Sequence, residues 1–262
     1  MNGKLSTTLG VVTGVAIVLL VVAIGSIVMV VNVPRHTDPV IGQPIPQNPG
    51  VTSPEVDVPG PVADDAALES SQGTDIAVLA DASWIASTAQ ATGIPDRALA
   101  AYAGAAIYVG HMQQCGLGWN TLAGIGYVET HHGTIFDGAI GPDGVASPAI
   151  YGVPLDGEST MAIPDSDGGA VDGDDEWDRA VGPMQFIPQT WQIWGQDGNG
   201  DGVADPQNID DAALTAATYL CHEGGSFASS GEWIAAIRAY NNTDDYQLSV
   251  ANAAQAYLEA AQ

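Results

Sequence analysis

Apolar residues run unbroken early in this chain and later recur at helical spacing. From residue 11 to residue 33 nearly every position is Val, Ile, Leu, Ala or Gly, and none is charged. A helix needs about 20 such residues to cross a bilayer, so the run predicts a membrane span. A cleaved signal peptide has a shorter apolar stretch ending at small residues. Gly25 and Ser26 would suit such a site, but the run continues through Ile27 to Val33. The expectation is an uncleaved signal-anchor over 11–33 behind a short cytoplasmic N-terminus over 1–10. Lys4 and Arg35 flank the span on opposite sides and mark its orientation poorly.

Residues 34–71 carry Pro34, Pro39, Pro44, Pro46, Pro49, Pro54, Pro59 and Pro61 with few large apolar side chains. Such a segment is an extended spacer, not a folding unit. The remainder, 72–262, reads as one mainly α domain. Helical patterns cover 75–92 and 95–114, with Pro95 suited to a first turn. Asn120 is placed to cap a helix running to Thr130 and ending near Gly133. Further helices are predicted over 188–194, from Asp210 and Asp211 to Leu220, and over 231–240 and 246–260. Acidic residues at the start of the Asp210 helix suit its positive end. Between them, 136–179 is rich in Gly, Asp and Pro with little periodicity. A structureless loop of that length is either functional or disordered. No strand pattern and no internal repeat stand out.

Charge narrows the function. The 262 residues include 31 Asp and Glu against 5 Lys and Arg, a formal net charge of −26. Nucleic-acid binding needs clustered cations and is excluded, and anionic lipid surfaces are disfavoured. A largely neutral sugar polymer remains acceptable. Acidity of this kind also serves solubility alone. The two cysteines, Cys115 and Cys221, are expected to form a disulfide if the domain is exported. That pairing in turn favours an extracytoplasmic domain.

Four stretches carry candidate chemistry. In Gly118-Trp-Asn-Thr-Leu-Ala-Gly-Ile-Gly-Tyr-Val-Glu-Thr-His-His-Gly133, the residues Leu122, Ile125, Gly126 and Glu129 follow i, i+3, i+4, i+7 spacing. Glu129 therefore falls on the apolar stripe, near the negative end of its helix. Both placements raise a carboxyl pKa, as a general acid requires at neutral pH. Periodicity alone does not separate this from a Glu solvated at the rim of the face. In Ala180-Val-Gly-Pro-Met-Gln-Phe-Ile-Pro-Gln-Thr-Trp191, Gln185 is a lone amide among apolar residues that must find partners, in a ligand or in the core. Asp197-Gly-Asn-Gly-Asp-Gly-Val-Ala-Asp205 matches the first half of an EF-hand calcium loop. Its twelfth position is Asn208 instead of Glu, so closure by Asp210 or Asp211 is expected. In Arg238-Ala-Tyr-Asn-Asn-Thr-Asp-Asp-Tyr246, Tyr240 and Tyr246 are placed to stack on sugar rings, and Asn241 to bond hydroxyl or acetamido groups. Aromatics at a helix end also serve as core.

Taken together and in this order, these stretches resemble the lytic transglycosylases of the membrane-bound B type, over roughly 70–262. The resemblance rests on Gly126-Tyr-Val-Glu-Thr, Gly182-Pro-Met-Gln-Phe-Ile-Pro, the calcium-type loop and Ala239-Tyr-Asn-Asn. It implies a goose-lysozyme-like (SLT) α fold with Glu129 as sole catalytic carboxylate. Gln185, Tyr240 and Asn241, with Tyr246, would bind the glycan. Structural calcium would sit on Asp197, Asn199, Asp201, the Val203 carbonyl and Asp211, within a loop spanning 197–211; no organic cofactor is implied. The acidic 136–179 insertion resembles an elaboration of actinobacterial relatives.

The implied reaction cuts the β-1,4 bond between N-acetylmuramic acid and N-acetylglucosamine in peptidoglycan and leaves 1,6-anhydro ends. Ordinary glycosidases need two carboxylates, whereas one suffices when the substrate's own 6-hydroxyl is the nucleophile. The implied partner is the glycan strand, with no nucleic acid, at the outer side of a cell membrane. The competing readings are a hydrolytic muramidase using an added acid from 137–178, an idle wall-binding tether, and a calcium sensor. A single calcium-type loop speaks against the last.

Overall fold

A computed structural model describes residues 75–158 and 160–262. The expected span over 11–33 and linker over 34–71 lie outside the described residues. Among those described, no helix is long and apolar enough to cross a membrane.

Seven α-helices dominate the described residues: α1 (Ala82–Thr92), α2 (Asp96–Gln113), α3 (Trp119–Thr130), α4 (Pro188–Trp194), α5 (Ile209–Gly224), α6 (Ser230–Tyr240) and α7 (Asp244–Ala260). The mainly helical expectation holds. Its first boundary does not, because Asp81 breaks the 75–92 pattern. The Asp81 carboxylate accepts from the Ser83 and Trp84 amides and starts α1, leaving a short 3-10 turn, Ile76–Val78, before it. Asn120 is not a cap either. Gly118 holds that position, and Asn120 is buried at the second residue of the helix, donating its amide to the Ala254 carbonyl of α7 at 3.3 Å. At the other end of the domain Ser229 and Glu232 form a reciprocal capping box that starts α6.

Helix α3 lies at the centre, packed along α7 on one side and α2 on another. Small residues make this possible. A side chain at Gly124 would stand 2.8 Å from the Val250 carbonyl, and one at Gly126 would collide with the Tyr102 hydroxyl. Trp119, Trp233, Tyr102 and Tyr246 are fully buried around this axis. The Trp233 indole donates to the Thr121 hydroxyl at 3.1 Å, so its burial leaves no orphan donor. A disulfide joins Cys115, just after α2, to Cys221 near the end of α5, across 106 residues.

The acidic 136–179 segment is structured, although no strand pattern stands out in its sequence. It holds two antiparallel pairs, β1 (Ala139–Ile140) with β2 (Ala146–Ser147) and β3 (Tyr151–Pro154) with β4 (Arg179–Val181). Aspartates then do what periodic secondary structure does elsewhere. Asp165 accepts from the amides of Asp167, Gly168 and Gly169, Asp167 from Val171, Asp174 from Glu176 and Trp177, and Asp178 from Ser166. Much of the segment's acidity is thus structural, saturating backbone donors that a helix or sheet would otherwise satisfy.

Candidate active site

Glu129 sits in the last turn of α3, half-buried, with one edge on a cleft of about 760 Å³. Surrounding protein strips water from the carboxyl and pushes its pKa up to about 7, against an opposing pull from one hydrogen bond. That bond comes from Tyr246, whose hydroxyl donates to Oε1 at 2.6 Å. Burial, reinforced by the Glu129 charge, holds the Tyr246 hydroxyl well above the ordinary tyrosine range, so it remains a donor. The group is poised: protonated often enough near neutrality to act as an acid, yet held by a donor that favours its anion.

Tyr246 itself is fully buried and does not line the cleft. It therefore offers no face to a sugar, unlike the stacking role expected for it. It supports the carboxyl from behind. Tyr240 lies parallel to it, with ring centroids 6.4 Å apart and planes 8° apart. The Tyr240 hydroxyl donates to the Met184 carbonyl at 2.7 Å, and Thr130, next to Glu129, donates to the Pro183 carbonyl. The three motifs are bolted together through backbone carbonyls of the 182–187 turn.

That turn depends on Gly182. Its φ is 78°, and a side chain there would strike the Pro206 carbonyl. Gln185 follows in the same left-handed region with φ of 52°, its Nε2 donating to the Gly182 carbonyl at 2.9 Å. This placement brings Gln185 to the cleft, where Glu129, Tyr240 and Asn241 also meet. Four of the five expected catalytic and glycan-binding residues thus share one cavity. Part of the lining was missed by sequence reasoning. Leu155, Thr160, Met161 and Ile163 come from the acidic segment, and Arg238 joins the lining two residues before Tyr240. Only Arg238 had a local signal, as part of the Tyr240 motif.

The expected metal loop contributes no residue to the cleft lining. Asp197 accepts from the Gly200, Asp201 and Gly202 amides, and Asn199 from Asp201. Asp211 reaches into the loop from α5, accepting from Gly198 at 2.7 Å and from Asp205 at 2.9 Å. Burial, with the charge of Asp197 nearby, pushes the Asp211 carboxyl up to about 6 despite those bonds. Asp210 points elsewhere, paired with Arg97 through both guanidinium nitrogens. Of the two acidic residues that open α5, Asp211 is the one turned to the loop. The loop's side chains offer hard oxygen donors, the ligand type that calcium takes. A separate cluster, Asp165, Asp167 and Asp178, has ligand atoms within 4.8 Å of one another.

Residues 172–234 match the Transglycosylase SLT domain. The match supports a lytic-transglycosylase type of family, and with it a glycan-cleaving enzyme of peptidoglycan. It spans Gln185 and the 197–211 loop, whereas Glu129, Tyr240, Asn241 and Tyr246 fall outside it. No curated protein and no solved structure matches the chain.

Proposed function

We propose that this chain is a lytic transglycosylase of the membrane-bound B type, cutting peptidoglycan between N-acetylmuramic acid and N-acetylglucosamine for cell-wall remodelling. One observation carries the reading. Glu129 is the only carboxylate among the described residues lining the cleft, and its pKa is pushed up to about 7. Glycosidases that use water or a covalent sugar intermediate place a second carboxyl across the bond. Among the described residues no second carboxylate lines the cleft with Glu129, which suits a nucleophile supplied by the substrate.

In this mechanism Glu129 gives its proton to the glycosidic oxygen as the bond from that oxygen to the muramoyl C1 breaks. The resulting carboxylate then takes the proton of the muramoyl 6-hydroxyl as O6 bonds to C1. Glu129 ends protonated, ready for the next strand, and the product carries a 1,6-anhydro ring. Holding the 6-hydroxyl inside the same sugar replaces activated water with proximity. Gln185, Tyr240 and Asn241 bind and orient the glycan, and Tyr246 steadies the carboxyl through both half-reactions.

Asp197, Asn199, Asp201, the Val203 carbonyl and Asp211 would hold calcium, whose role there would be structural, tying the loop to α5 through Asp211. The span over 11–33 would anchor the chain in the membrane, with the 34–71 spacer carrying the domain to the wall outside. Mass analysis of material released from purified cell-wall sacculi tests the proposal. Soluble muropeptides one water lighter than hydrolytic products support it. An absence of release reduces the protein to a wall-binding tether.

A further inference from the structure

The cleft is spared by the charge that covers the rest of the molecule. Of the 31 Asp and Glu residues in the chain, only Glu129 lines the cavity among the described residues, and no Asp does. Among the described residues, the single cation on that lining is Arg238, one of only 5 Lys and Arg in the whole chain. Near neutral pH Glu129 is partly protonated, and the charge a ligand can recruit there is the Arg238 guanidinium, held by an exposed pairing with Asp244. A strongly acidic protein that clears carboxylates from its cleft and keeps one arginine there is arranged for a ligand bearing an anion at that end.

Arg238 is also available. It projects from the last turn of α6, two residues before Tyr240, and its one ion pair is with Asp244 at 3.1 Å. Both side chains are about half exposed, at 45% and 50%. Exposed pairs of this kind are weak and exchange readily for another partner. Arginine in addition presents a planar fork matched to a carboxylate, which a lysine would not. Arg179, by contrast, is occupied by Asp174 and the Gly152 carbonyl, and Arg97 by Asp210.

We propose that Arg238 recognises a carboxylate carried by the muramoyl unit, making the glycan's acidic substituent a determinant of substrate choice. The inference rests on the glycan reading of the cleft. Two sources of that carboxylate exist: the lactyl group when the peptide stem has been removed, and the stem's own acidic residues when it is present. In either case Arg238 exchanges Asp244 for the ligand, and a neutral N-acetylglucosamine polymer gains nothing from it.

Calorimetric titration of the full chain carrying Glu129→Gln, which prevents turnover, tests this with three ligands. They are a neutral N-acetylglucosamine tetramer, a peptide-free muramoyl tetrasaccharide, and its peptide-bearing counterpart. At least one carboxylate-bearing ligand should bind about five- to tenfold more tightly than the neutral one at low salt. A gain for the peptide-free ligand identifies the lactyl carboxylate; a gain confined to the peptide-bearing one identifies the stem. Adding Arg238→Gln should bring the preference close to one. Adding Asp244→Asn, which frees the guanidinium, should enlarge it, a gain that misfolding would not mimic. Equal binding of all three ligands, or a preference that survives Arg238→Gln, overturns the assignment while leaving the glycan reading intact. Binding of none overturns the glycan reading and the assignment with it.

Discussion

Replacing Glu129 by Gln keeps the shape of the side chain and an oxygen to accept from Tyr246, but removes the titration. The consequences for stability follow from the carboxyl pKa, raised from 4.5 to about 7 in the fold. A group whose folded pKa is raised contributes stability fully below its unfolded value and loses it as pH rises through the folded one. The wild type should therefore weaken between about pH 4.5 and 7 by up to about 3 kcal/mol. That figure is a ceiling, because the cleft-facing edge of Glu129 admits water. The Gln variant has no such loss. Against any pH-independent change from the new amide, it should gain on the wild type by up to roughly 6–12 °C in Tm at pH 8 relative to pH 4, at about 2–4 °C per kcal/mol. Activity moves the other way, falling at least ~10²–10⁴-fold, the range for loss of general acid–base catalysis. The assays are thermal melts of both proteins from pH 4 to 9 beside muropeptide release. If the two melting temperatures run parallel across that range, Glu129 is not held neutral by its surroundings.

Tyr246→Phe removes the one hydrogen bond that favours the Glu129 anion; the alkaline limb of the pH–rate profile should move to higher pH, and an unmoved limb would make Tyr246 mere core. Replacing Cys115 and Cys221 by Ser should lower stability by ~2–5 kcal/mol, since the bridge closes a long loop; two free thiols in the denatured, unreduced protein would refute the bridge. Chelation should lower the melting temperature, because an ion bound only by the folded state stabilises it by mass action. Asp201→Ala should mimic chelation, and unchanged melting in both would leave the 197–211 loop an ordinary turn. His132 is buried between Tyr102 and Tyr257 with its pKa lowered from 6.5 to about 3, chiefly by burial. Its contribution is present above about pH 6.5 and lost as pH falls, so His132→Asn should flatten the acid-side decline in melts. A decline as steep as in the wild type would assign it to other groups.

What was legible in the sequence was what local pattern controls. The i, i+3, i+4, i+7 stripe placed Glu129 inward on α3, and Gly182-Pro183 announced the turn that carries Gln185. Asn120 misled because a capping residue type one position into a helix looks the same whether it caps or packs, and only α7 decides it. Tyr246 looked like a stacking aromatic, yet three-dimensional packing made it the buried partner of the carboxyl. The acidic segment had no period to read, because Asp side chains bonding amides two to four residues on leave no apolar repeat. Its contribution of Thr160 and Met161 to the cleft lining is purely tertiary.

In the proposed reaction one carboxyl and the substrate's own hydroxyl replace the usual pair of acids. Digestion of purified sacculi in water enriched in heavy oxygen, followed by mass analysis of the released muropeptides, tests it most directly. An intramolecular reaction takes no oxygen from solvent, so unlabelled 1,6-anhydro ends are expected. Reducing ends carrying the heavy isotope would show that water is the nucleophile and would contradict it.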